Sequence, residues 1–91
     1  MKFIKNPAQV EAERVSLLLF NAKNSWKDLP DWIIKYYDKG NIVFLPESIA
    51  IKNNEGDSTA IYSDWIINEN NHIYICKNNT FKELYKIENK K

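Results

Sequence analysis

Cysteine, histidine and arginine occur once each in this 91-residue chain, and glycine only twice. Each scarcity excludes something. A lone Cys76 cannot close an internal disulfide, which rules out a small bridge-stapled secreted scaffold. Cys76 and His72 together fall short of the three or four ligands a zinc site needs. With only Gly40 and Gly56, no glycine-rich phosphate-cradling loop can be built. Charge of one sign is also lacking: 13 Lys plus Arg stand against 12 Asp plus Glu, a formal +1. A dedicated nucleic-acid binder normally carries a basic excess. Apolar runs such as Leu17–Phe20 are far short of the ~20 residues of a membrane span. The opening MKFIKNPAQ has no apolar stretch after its lysines, so no signal peptide is expected. The expected location is the cytoplasm.

Other residues are abundant. The chain is 44% hydrophobic and 27% charged, a globular rather than a disordered composition. Aromatics make up 13%, with three Trp, five Tyr and four Phe. Asn, Ile and Lys occur twelve times each. All three have AT-rich codons, which points to an AT-rich bacterial or phage genome rather than to chemistry. A chain this short buries roughly 60–65% of its unfolded surface, enough for one modest core.

Along the chain, Gln9, Glu11 and Glu13 alternate with Val10 and Ala12, the period of a half-buried strand over 8–14. Residues 15–24 read as a strand end or a short helix. The clearest helix spans about 29–39. Asp28 is its expected N-cap and Pro30 a first-turn residue. Trp32, Ile33, Tyr36 and Tyr37 form its apolar stripe, and Gly40 its left-handed stop. NIVFL, SIAIK, TAIY, DWIIN and HIYICK then read as strands. Pro46 supplies a bend, residues 53–57 and 69–71 turns, and Asn78-Asn79 a third turn. In HIYICK, Ile73 and Ile75 face one side; His72, Tyr74 and Cys76 face the other. Thr80 and Glu83 have capping-box spacing for a helical turn near 81–85, and 88–91 should fray. The pattern is α+β: a small antiparallel sheet with one main helix packed on it, in a single domain, 1–91, without a linker.

Chemistry-bearing constellations are sparse. Cys76 and His72 on one strand point in parallel and lack a third, orienting group. Ser63-Asp64 has no histidine placed by any motif. Glu55 and Asp57 flank a turn glycine, a position that solvates a hairpin. No enzyme, catalytic residue, metal or cofactor is expected. Base stacking on Tyr62, Trp65 and Tyr74 beside Lys52, Lys77, Lys82 and Lys86 would suit single-stranded nucleic acid. Glu55, Asp57, Asp64, Glu69 and Glu83 are interleaved with those lysines and disfavour it.

Four segments resemble, in order, a family of small phage and prophage proteins named after a Pro-Gly-Asp-Tyr-Phe-like motif (PGDYF-like). These are KNPAQVEA (5–12), LPDWIIKYYDKGNI (29–42), EGDSTAIYSDWII (55–67) and IYICKNNTFKELYKIE (73–88). Tyr62 and Ser63 stand where the motif has proline and glycine, and the turn before His72 lacks the family's usual glycines. The resemblance implies a phage origin and a small α+β fold. It brings no activity, cofactor or catalytic residue.

The aromatic surplus directs attention to partners, because Tyr and Trp concentrate at interface hot spots. The expected function is that of a non-enzymatic phage or prophage accessory protein acting by binding. It would inhibit host defence by occupying a host bacterial protein or by sequestering a small nucleotide signal, with a homo-oligomer as its expected form. The candidate binding residues are Asp64, Trp65, Tyr74 and Tyr85, with Tyr36 and Tyr37 as a second patch. The competing reading is a structural or self-assembling component of the virion or tail.

Overall fold

A computed structural model describes residues 2–5, 8–53, 56–84 and 86–87. The chain runs β1 (Lys2–Lys5), β2 (Ala8–Arg14), α1 (Val15–Asn24), a 3-10 turn (Trp26–Asp28), α2 (Asp31–Asp38), β3 (Ile42–Phe44), β4 (Ser48–Asn53) and β5 (Gly56–Ile61). It continues through β6 (Trp65–Glu69), β7 (His72–Cys76), α3 (Asn78–Leu84) and β8 (Lys86–Ile87). The α+β class holds. The strands divide between two antiparallel sheets, of order β7-β6-β2-β1-β8 and β3-β4-β5.

Two cores explain the division. The larger lies between the sheets and helices and takes Val15, Leu18 and Leu19 of α1, Trp32 and Ile33 of α2, and Ile42, Ile49, Ile51, Ile66 and Ile73 from the strands. The smaller lies on the other face of the five-stranded sheet, where Val10, Ala12, Trp65, Ile67 and Cys76 meet Phe81 of α3. Strand β6 therefore sends Ile66 one way and Trp65 and Ile67 the other, and a strand covered on both faces reads as an unbroken apolar run. β7 divides as its alternation predicts, Ile73 and Ile75 toward the larger core and Tyr74 and Cys76 toward the smaller.

Local signals decide several elements. Residues 15–24, left open between strand and helix, form helix α1. Its buried Val15, Leu18 and Leu19 fall at i, i+3, i+4. Helix α2 starts later than expected: Pro30 caps it, and Asp28 sits in the 3-10 turn, accepting a hydrogen bond from Ser25 Oγ at 2.6 Å. Gly40, at φ +84, ends it. The Gly40 N–H donates to the Tyr37 carbonyl and the Asn41 N–H to that of Tyr36, the double closure of a Schellman motif. Between β6 and β7, Asn70 and Asn71 take φ 53 and 64, as a two-residue type I′ hairpin turn requires. Gly56, the first residue of β5, has φ +127; Asn54 and Glu55 lie outside the described residues.

The capping box does not form. Helix α3 begins at Asn78, so Thr80 lies within the helix and Asn78-Asn79 is its first turn rather than a loop. The cause is tertiary: Asn78 Oδ1 accepts a hydrogen bond from Trp65 Nε1 at 2.9 Å, and the Phe81 N–H already reaches the Lys77 carbonyl. The 88–91 tail lies outside the described residues.

Candidate functional site

The six candidate residues do not form one patch. Asp64 is 1% exposed and works as a bracket. Its Oδ2 accepts the Ile61 N–H at 3.0 Å, its own N–H donates to the Ile61 carbonyl, and its carbonyl accepts the first N–H of α1, from Val15. Oδ1 takes no hydrogen bond and faces Lys77 Nζ at 3.5 Å, an ion pair held by charge alone. Asp64 thus joins the crossover between sheets to the start of α1. Trp65 is buried, stacked on Phe81 with ring centroids 3.8 Å apart and planes 6° from parallel. Both were expected at a binding surface; burial gives them to the core. Tyr37 is 41% exposed and joins Trp26 and Phe44 in a surface triad, at centroid distances of 5.0 and 5.7 Å. Tyr85 lies outside the described residues.

Tyr36 and Tyr74 both line one cleft of about 640 Å3, but their rings go to opposite faces of the five-stranded sheet, Tyr36 against the larger core and Tyr74 against the smaller. The cleft opens where the C-terminus of α2, strand β4 and the β6–β7 hairpin meet. Lys39, Asn41, Lys52, Asn53, Asn71, His72 and Ile73 complete its lining. A second hollow of about 290 Å3 between β5 and β7 shares Asn53, Ile73 and Tyr74 with it. Local bonds position these groups. Asn41 Nδ2 donates to the Lys52 carbonyl and the Lys52 N–H to the Asn41 carbonyl, both at 2.8 Å, so the chain leaving α2 is clamped to β4.

The tyrosines are anchored by their hydroxyls. Tyr36 Oη donates to Asn68 Oδ1 at 3.0 Å, and Asn68 Nδ2 donates to Glu11 Oε1 at 3.0 Å. Burial, and then the negative charge of Glu11, raise the Tyr36 pKa above its ordinary value of 10.0 and keep the phenol neutral. Tyr74 Oη donates to Glu69 Oε1 at 2.9 Å. Lys39 Nζ stands 5.7 Å from the centre of the Tyr36 ring, a cation–π distance. Lys52 pairs with Asp57 at 3.4 Å with both side chains largely in water, a contact weak enough to yield to a ligand.

Among the described residues, every ionisable lining group of the larger cleft besides its two tyrosines is basic: Lys39, Lys52 and His72. Three asparagine amides add donors and acceptors. Such a set can hold an anion joined to a flat, polar body. Sequence reading found the two tyrosines and named Lys52 as a phosphate contact, but missed Lys39 and the asparagines, which come from separate elements and share no spacing. Their one signal is position: Asn41, Asn53 and Asn71 sit at the ends of elements.

His72 is exposed at the start of β7 and Cys76 buried at its end. Among the described residues no three His, Cys, Asp or Glu side chains gather to hold a metal ion, and no helix is long and apolar enough to cross a membrane. Comparison with protein-family models, with curated proteins and with solved structures gives no match for this chain.

Proposed function

We propose that this chain is a non-enzymatic accessory protein of a phage or prophage that acts by binding, sequestering a small nucleotide used by the host as a defence signal. The cleft is what supports the reading: in a chain whose charges nearly cancel, its lining sets Lys39, Lys52 and His72 beside the Tyr36 ring. Lysines supply phosphate contacts, the Tyr36 ring supplies base stacking, and asparagines supply base-edge hydrogen bonds. The volume suits a ligand of nucleotide size. The phage origin rests on the four resembling segments and on the Asn-Ile-Lys bias.

Thermal melting with AMP, cyclic dinucleotides and uncharged adenosine tests this. A ligand at about 100 times its Kd adds about 2.7 kcal/mol to stability, a rise of roughly 10–20 °C for a domain of this size. The phosphorylated compounds should raise the Tm and adenosine should not, and Lys39→Ala with Lys52→Ala should remove the rise. No shift with any nucleotide sinks the reading. The Trp26, Tyr37 and Phe44 triad favours the second form, occupation of a host protein, because half-exposed clustered aromatics are typical interface anchors. Trp26→Ala would then abolish inhibition and leave nucleotide binding intact.

A further inference from the structure

A second surface lies away from the cleft, around α1. A groove of about 520 Å3 runs between Leu19, Phe20 and Lys23 of that helix, Pro46 and Glu47 of the β3–β4 connection, and Tyr62 of the turn after β5. Phe20 is 61% exposed and Tyr62 64%. Leu17, three residues before Phe20 on α1, is exposed as well, as are Leu45 and Ile61, the sequence neighbours of Pro46 and Tyr62. Ser16 and Asn24 complete the lining, so Phe20, Pro46 and Tyr62 form an exposed apolar strip with polar neighbours, the kind of patch that marks an interaction site.

Charge says what covers it. Lys23 and Glu47 are the groove's charged lining residues, one of each sign, and both are exposed. A patch with one cation and one anion complements itself, because a two-fold rotation brings each onto the other. The net charge of +1 also leaves almost no long-range repulsion between copies. A strongly basic or acidic partner would find no matching field here.

We propose that this groove is a self-pairing surface, on which two copies of the chain join across a two-fold axis. Phe20 and Tyr62 pack at its centre, and Lys23 of each copy meets Glu47 of the other. The apolar centre supplies affinity and the charged pairs set the register. The cleft is built from other elements and is left open, so self-pairing and ligand capture are independent.

Sedimentation velocity of the intact chain tests the pairing. At micromolar concentrations it should sediment at twice the chain mass, and Phe20→Glu should give a monomer with an unchanged melting temperature. Lys23→Glu and Glu47→Lys each replace two attractive contacts by two repulsive ones. Each should raise the dimer dissociation constant roughly tenfold or more. Mixing these two variants should restore a dimer, as a mixed species, because every pair across the axis is again of opposite sign. A fold defect cannot produce that rescue. A wild-type chain that stays monomeric overturns the proposal, as does a dimer indifferent to Phe20→Glu, or charge variants that fail to rescue one another.

Discussion

Replacing Asp64 by alanine separates a structural bracket from a binding residue. The carboxylate is 1% exposed, accepts the Ile61 N–H at 3.0 Å and stands 3.5 Å from Lys77. Alanine removes a charged acceptor from a part-buried N–H, a loss of about 1.5–3 kcal/mol. Lys77 is 71% exposed, so its ion pair is screened and adds only about 0.2–1 kcal/mol. The expected total is about 2–4 kcal/mol, or a fall of roughly 10–25 °C in Tm. Asp64→Asn keeps an acceptor for the Ile61 N–H and gives up the charge, so it should cost under about 1.5 kcal/mol. Urea unfolding followed by far-UV circular dichroism gives both numbers. The bracket is refuted if Asp64→Ala unfolds with the wild-type midpoint, or if asparagine is as damaging as alanine. Loss of ligand binding at unchanged stability would return Asp64 to the binding surface.

Tyr36 should set a limit at high pH. Its folded pKa lies above the unfolded value of 10.0, so its contribution is full below that value and is lost as pH rises through the folded pKa. Urea midpoints between about pH 9 and 11 should fall more steeply for the wild type than for Tyr36→Phe; parallel curves refute this. Gly40→Ala should cost about 1–2 kcal/mol, the strain of a left-handed non-glycine residue. An added Cβ there meets nothing within 4 Å, so a larger loss in unfolding free energy would mean that packing, not backbone strain, was at stake.

Several features were legible from neighbours in the chain. Gly40 stops α2 because a positive φ at that position is local chemistry. The asparagine pair at 70–71 turns the hairpin for the same reason. The alternation in β7 assigned its two faces. Other features had no local sign. Helix α1 was ambiguous because exposed Leu17 and Phe20 blur its buried stripe. The start of α3 was misplaced because its deciding bond comes from Trp65, thirteen residues earlier.

The candidate site shows the same boundary. Tyr36 and Tyr74 were found by residue type alone, and Trp65 was chosen on the same ground although it is core. Side-chain chemistry is the same for an aromatic inside or outside; only the covering element decides, and here α3 covers Trp65 while nothing comparable covers Phe20.

By itself the sequence determined the α+β class, the main helix and its stop, most strands and their turns, because these depend on contacts a few residues apart. The tertiary structure alone decided that the strands form two sheets and that Lys39, just past the end of α2, and Lys52 of β4 meet at one cleft. It also decided that Asp64 is a bracket rather than a ligand. Those outcomes rest on pairings such as Glu11 with Asn68, 57 residues apart, and no local pattern encodes which distant segments will meet.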